Sequence, residues 1–504
     1  MTYLLGIDIG TSSVKTLVLD AETGRGLCSA QQEYPISQPQ PGYAEQNPDD
    51  WWQATINTVR KAVADAAIDP NAIQGISFSG QMHGGVCLDK SARPLRPAII
   101  WADTRSAEQV ADIGRRASTQ ELVQHAPGAP AAGFMATTLM WLTQHEPDTI
   151  AKTHAIVLPK DYVRLRMTGE IATDVSDAAG TWLFDIAFGQ WSDWLLNLCG
   201  LENRYLPSVL SSMDVAGTLL PSAAEALGLP PGIPVIAGCA DQPAVCMAYG
   251  LYNPGTALAA IGTGGQVVHP LTQVRTDPQM RFHVLNHAIP QRWYALAAIL
   301  SAGLSLRWLR DLLGLKDRPD AYEHLSRLAA QAPPGADGLL FLPYLAGERS
   351  PHMDSQATGV FVGLRLHHGP GHLARAVMEG VTFAMRECLS LVSDLADTGE
   401  PVQVIASGGA TASPLWRQIQ ADIYNTPLLL SAGDSHACVG AALLAGIGCG
   451  VYSSVEDACA HLPRPAAEVW PDAARADFYE RRFQIYRRLY GQLKDDMHHL
   501  TEPA

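Results

Sequence analysis

Gly6-Ile7-Asp8-Ile9-Gly10-Thr11-Ser12-Ser13-Val14-Lys15 is the stretch from which the fold is read. The apolar run Tyr3 to Ile9 predicts a strand, Gly10 to Ser13 a tight turn, and Val14 to Leu19 the return strand. Ala21-Glu22-Thr23-Gly24 then turns the chain into a third strand. Working outward, Asp49 and Asp50 occupy the position of an N-cap before a helical stretch reaching about Ala67. The strand Ile73-Gln74-Gly75-Ile76-Ser77-Phe78 follows and ends in Ser79-Gly80-Gln81-Met82-His83-Gly84-Gly85. Three strands, a helix and a strand make a mixed sheet with crossover helices.

The same order returns later. Thr256 to Ile261 predicts a strand, Gly262-Thr263-Gly264-Gly265 a turn, Gln266 to His269 the return strand and Arg292 to Ile299 a third. Val402-Gln403-Val404-Ile405-Ala406 then runs into Ser407-Gly408-Gly409-Ala410. Such a duplication predicts two related α/β domains, 1–252 and 253–504, meeting near Tyr252-Asn253-Pro254-Gly255. The copies differ at one telling place: Asp8 precedes the first turn, and Ala260 holds the matching position before the second. A repeat built only for structure has no reason to carry a lone carboxylate inside one strand, where an unpaired charge is costly.

Composition narrows the class. The chain has 504 residues, 47% hydrophobic and 17% charged, which suits a globular protein of two or more domains. A net charge of −15 without a basic cluster argues against nucleic acid as a partner. Nine scattered cysteines, with no CxxC pair, read as reduced thiols of a cytoplasmic protein. The N-terminal strand is broken by Asp8 too soon for a signal peptide, and no long uncharged apolar run predicts a membrane span.

Several segments carry chemistry, each with a plainer alternative. Gly10, Thr11 and Ser12 form a turn whose amides can cradle phosphate, with Lys15 supplying a point charge; an ordinary hairpin turn has the same residues. Gly262 and Thr263 repeat the pattern. Asp8 cannot donate to phosphate, so its chemical use is through Mg²⁺, against a capped or ion-paired aspartate. Val235-Ile236-Ala237-Gly238-Cys239-Ala240-Asp241-Gln242-Pro243 reads as strand, turn and helix start. Asp241 there suits either an N-cap or a general base for a hydroxyl. Met82 and His83, on a glycine-flanked loop, and Trp101, Asp103 and Arg105, after a second apolar strand, offer the polar and flat groups that a polyol needs; loop and surface residues often look alike. Gly408, Gly409 and Ala410 either admit an adenine ring against backbone or merely punctuate a strand-to-helix junction.

Taken together, Gly6 to Lys15, Gly80-Gln81-Met82-His83-Gly84, Trp101-Ala102-Asp103-Thr104-Arg105, the run Leu158 to Glu170, Ser176-Asp177-Ala178-Ala179-Gly180-Thr181 and Leu342 to His352 resemble the xylulokinases of the FGGY carbohydrate-kinase family, to which glycerol kinase also belongs. The likeness runs from residue 3 to about 490. It implies two actin-like (ribonuclease-H-like) α/β domains with the active site in the cleft between them. It further implies Asp241 as catalytic base, Asp8 as the metal-associated aspartate, and Met82 and His83, with Trp101, Asp103 and Gln242, at the sugar. Gly10, Thr11, Ser12, Lys15, Gly262, Thr263, Gly408, Gly409 and Ala410 would hold ATP, with Mg²⁺ as the metal. Gln242 stands where many xylulokinases have Asn, Gly264 makes the second turn Gly-Thr-Gly-Gly, and Thr138 replaces a usual lysine. The expected reaction is phosphorylation of D-xylulose by ATP. Another ketopentose, a pentitol or a glycerol-like polyol is the alternative acceptor, and a non-catalytic ATP-binding regulator the alternative class. A homodimer is left open.

Overall fold

A computed structural model describes residues 1–504 other than 397, 398, 400, 431–435, 464, 466 and 502–504. Tyr3–Ile9 (β1) and Ser13–Asp20 (β2) are the antiparallel hairpin of the first turn, and Arg25–Glu33 (β3) pairs with β2. Ile73–Gly80 (β4) lies parallel to β1 on its other side. Val215–Thr218 (β5), Pro234–Ile236 (β6) and Cys239–Ala240 (β7) complete the sheet, whose order is β5-β6-β4-β1-β2-β3 with β7 also on β4.

Strand alternation gives this sheet two buried faces. Leu5, Ile7, Ile9 and Val18 join the core containing Trp51, Ala54 and Val59 of Pro48–Ala66 (α1). Leu4, Leu17 and Leu19 point the other way, into a core with Cys438, Ala442, Leu443 and Leu444. Those four residues lie on the helix His436–Gly448, far along the chain. Gly6 sits under it, and a Cβ there would lie 1.8 Å from the Cys438 carbonyl oxygen, so the close approach of helix to strand requires glycine.

The cap of α1 differs from the expectation. Asn47, not Asp49 or Asp50, is the N-cap, its side chain accepting from the Asp49 amide at 3.3 Å. Pro48 explains the shift: it has no N–H and a fixed φ suited to the first helical position, so the residue before it must cap. Asp49 instead accepts from the Tyr162 hydroxyl and from Arg166, each at 2.7 Å.

The repeat continues in Thr256–Ile261 (β8), Gly265–Leu271 (β9), Trp293–Ile299 (β10), Gln403–Ser407 (β11), Leu428–Leu430 (β12) and Ala467–Val469 (β13). Their path, β10-β9-β8-β11-β12-β13, reproduces β3-β2-β1-β4-β6-β5. Register follows too. Asp8 faces Lys15 on one side and Ser79 on the other; Ala260 faces Gln266 and Ser407 in the same way.

The chain divides into two compact units. The first comprises Met1–Tyr252, Val284–Trp293 and Gly433–Pro463; the second comprises Asn253–His283, Tyr294–Ala432 and Arg464–Ala504. A single cut at 252/253 therefore leaves two later segments to be reassigned. Gly433–Pro463 belongs with the first unit because its apolar helix covers the β1–β2 face. All nine cysteines are free thiols, six of them buried. Among the described residues, no helix is long and apolar enough to cross a membrane.

Candidate active site

In the first unit, β1, β4 and β7 run parallel, so their C-terminal ends share one edge of the sheet, where α/β folds place ligands. Asp8 is paired with Ser79, and Ser79 with Cys239, which puts Asp8, the loop after Gly80 and Asp241 together at that edge. Ser79 Oγ donates to Asp8 Oδ1 at 2.8 Å. Burial pushes the Asp8 carboxyl above its ordinary range, partly countered by Ser79 and by the Lys15 charge.

Asp241 is the first residue of the helix Asp241–Ala248, not its N-cap: that position is Ala240, which has no side-chain cap. The cap alternative thus loses its geometry. The Asp241 carboxyl is pushed up to about 7, mainly by burial and next by the charge of Asp8, against the pull of the Gln242 amide and its own. A carboxylate held near neutrality is suited to accept a proton at physiological pH. Gln242 follows it, half-buried.

The Gly10–Ser12 turn closes with the Gly10 amide donating to Ser13 O at 3.0 Å. It is held from outside, first by Gln46 and Tyr34, which no motif advertised. Gln46 Nε2 donates to Thr11 O at 2.7 Å, and Gln46 Oε1 accepts from Gln81 Nε2 at 2.9 Å and Trp51 Nε1 at 3.2 Å. The Tyr34 hydroxyl donates to Gly10 O. Trp101, 43% exposed, donates from Nε1 to Thr11 Oγ1 at 2.8 Å, so a residue expected at the sugar is bonded to one expected at phosphate.

Met82 is buried, and His83 takes φ +75°, an uncommon conformation for a histidine. His83 Nδ1 lies 2.5 Å from Gly180 O, and because a carbonyl only accepts, that nitrogen carries the proton. The ring stacks on Phe134 at 4.1 Å. Asp103 is employed differently from expectation. Its carboxylate accepts from the Ala44 amide (2.6 Å), the Arg105 amide (2.8 Å) and the Arg105 guanidinium (2.7 Å), all in a buried setting. It anchors the segment after Trp101, and its oxygens are already occupied.

In the second unit, the Gly262 amide donates to Gly264 O at 2.9 Å, and the turn is backed by the start of the helix Gly303–Leu312. Gly303 N donates to Gly262 O at 2.8 Å, and Leu304 N to Thr263 O at 3.0 Å. Gly408 has φ +82°, and a Cβ there would lie 2.4 Å from Ile261 O, so this glycine lets the two strand ends meet. A cavity of about 410 Å³ opens beside them, lined by Gly262, Thr263, Gly409, Ala410, Tyr322 and Trp416 among others. Its apolar walls and glycine-rich floor are of a size for a nucleoside.

A three-strand meander, duplicated, with a glycine–threonine turn in each copy and a strand carboxylate before only the first, is an actin-like α/β architecture. The chain belongs to the FGGY family of carbohydrate kinases: the family's N-terminal domain matches residues 3–248 and its C-terminal domain residues 257–449. It is 36% identical over 496 residues to xylulose kinase of Bacillus subtilis, covering 98% of each chain. It is 38% identical over 490 residues to that of Escherichia coli, covering 97% of this chain and 99% of the relative. The solved xylulose kinase of Rhodospirillum rubrum superposes with a TM-score of 0.91 at 29% identity, over 98% of this chain and 100% of that one. The protein is an enzyme, a sugar kinase that uses ATP.

Proposed function

We propose that the acceptor is D-xylulose and the product D-xylulose 5-phosphate, with ADP released. The full-length likeness to xylulose kinases carries this reading, and the Met82–His83 loop agrees with it. Asp241 accepts the proton of the 5-hydroxyl as that oxygen attacks the γ-phosphorus and the bond to the ADP oxygen breaks. Phosphoryl transfer leaves the protein little covalent work, so positioning and charge control dominate.

His83 and Met82 orient the sugar, with Trp101 and Gln242 beside them. Asp103 acts from behind, by fixing the segment that bears Trp101. The amides of Gly10–Ser12 and of Gly262–Thr263, with Lys15, hold phosphate oxygens, and the cavity bounded by Gly409 and Ala410 holds the adenosine. Among the described residues there is no cluster of three His, Cys, Asp or Glu side chains able to hold a metal. That suits Mg²⁺, which binds through one or two carboxylates and substrate phosphates. Asp8, with one oxygen steadied by Ser79, is the carboxylate that fits. When bound, the ion supplies neutralisation of phosphate charge.

The test is kcat/KM for D-xylulose, D-ribulose, L-ribulose, xylitol and glycerol in wild type and His83→Ala. D-Xylulose should lead in wild type. The variant should lose about 1–3 kcal/mol of transition-state binding on D-xylulose, the cost of an unpaired hydroxyl, with KM for ATP unchanged. A wild-type preference for glycerol, or equal losses on every acceptor, would remove the xylulose assignment.

A further inference from the structure

The segments Leu158 to Glu170 and Ser176 to Thr181 enter the site as described only through the Gly180 carbonyl, yet with Asp174 between them they hold the most buried ionisable side chains of the first unit. Lys160, Asp161, Arg164, Asp174 and Asp177 are all fully buried. Lys160 Nζ lies 2.6 Å from Asp161, 2.8 Å from Asp174 and 3.2 Å from Asp177, and Arg164 lies 3.0 Å from Asp161. Burying five ionisable side chains is expensive even when they are paired, and burial pushes the Asp177 carboxyl well above its ordinary range, so apolar residues would often serve stability as well. A structural role alone is a weak reason for them.

Their outward bonds converge on the turn that leads into Asp241. Arg164 Nη1 donates to Ala237 O at 2.9 Å. Ser176 Oγ accepts from the Ala240 amide at 2.9 Å and donates to Asp174 Oδ2 at 2.6 Å, using its one proton and one acceptor site in a single relay. Ser212 Oγ donates to the same Asp174 oxygen at 2.6 Å, while Ser212 O accepts from Gly238 N at 3.1 Å. Burial pushes the Asp174 carboxyl up, but Lys160 and the two serines more than offset this and keep it ionised.

The short helix Val175–Gly180 carries this relay at its start, and at its end the Gly180 carbonyl holds His83. Lys160 also packs beneath the start of the His83 loop: a Cβ on Gly80 would lie 2.8 Å from Lys160 Cβ. One rigid piece therefore backs both the Asp241 turn and the Met82–His83 loop.

We infer that Ser176, fixed by Asp174 and Lys160, is a positioning residue for Asp241: its hydroxyl holds the peptide that enters the base and so sets where the carboxylate stands. The inference rests on the reading of Asp241 as the base. Ser176→Ala removes the hydroxyl and leaves the five buried ionisable side chains in place. Its kcat should fall about 10- to 100-fold, the scale of a small misplacement of a catalytic group. KM for ATP and for D-xylulose should stay within about twofold, since neither ligand's binding groups are touched. Ser176→Cys, close in size and a weak hydrogen-bonding group, should fall between and guards against a failure of the alanine variant to fold. Wild-type kcat in Ser176→Cys and Ser176→Ala, with Asp241→Asn inactive, would overturn the positioning role alone. So would a loss of kcat that comes with parallel rises in both KM values and loss of the cooperative melt. Wild-type turnover in Asp241→Asn would remove the base reading and this inference with it.

Discussion

Asp103 and Asp241 look alike in the sequence, each an aspartate shortly after an apolar strand, and the difference between them is one of partners. Asp103 has its oxygens filled by Ala44 and Arg105, whereas Asp241 is held near neutrality by burial and by Asp8. Asp241→Asn should therefore lower kcat by roughly 10²–10⁴-fold, the range for loss of a general base, with ATP binding intact by titration calorimetry. The same residue predicts a stability effect of opposite sign. Its folded value of about 7 lies above that of an unfolded aspartate, about 4, so the folded form holds an extra proton between the two. That stability is complete below about pH 4 and is lost as pH rises through about 7. Asp241→Asn, which has no charge to bury, should melt higher than wild type at pH 8 and show a flatter decline between pH 5 and 8. Superimposable melting curves at pH 8 would contradict the burial of this carboxylate.

At the scale of elements, the matching registers of β1 with β2 and β4, and of β8 with β9 and β11, explain why the repeat was legible. Apolar alternation and the glycine turns depend on local sequence, and both copies keep them. The turn Ala237–Ala240 was less legible, because its shape depends on what lies across from it. Gly238 has φ +77°, and a Cβ there would lie 2.5 Å from Phe78 O on β4. Gly238→Ala should destabilise the protein by at least about 1–3 kcal/mol, the cost of a strained left-handed residue, with the collision added. It should also reduce kcat, since the displaced turn carries Asp241. Unchanged urea denaturation would show that the turn yields without cost.

At the scale of the whole molecule, the first unit is finished by a helix that the chain supplies nearly two hundred residues after Tyr252. Leu443 and Leu444 are fully buried against Leu4, Leu17 and Leu19. Those two leucines alone are worth about 3–6 kcal/mol, a large share of the 5–15 kcal/mol by which a typical domain is stable. A fragment of residues 1–252 should therefore expose the β1–β2 face, bind a hydrophobic dye and lack a cooperative melt. A sharp thermal transition in that fragment would show that the helix is dispensable.

The sequence by itself determined the duplicated meander, the two glycine–threonine turns and the unequal pair Asp8 and Ala260, because strand period, turn chemistry and a misplaced charge are local signals. It also marked Asp241 and His83 as candidates by residue type and setting. Only the tertiary structure decided that Asp241 is not a helix cap and that Asp103 is an anchor. Those answers depend on hydrogen bonds to residues remote in the chain. Gln46 and Tyr34 could not be found beforehand, and Ser176, though it opens a segment shared with the family, showed no role, since a glutamine, tyrosine or serine gains meaning only from the atom it faces. The helix His436–Gly448 is apolar on every side, so its period could not say which sheet it covers; that was decided by the close approach over Gly6.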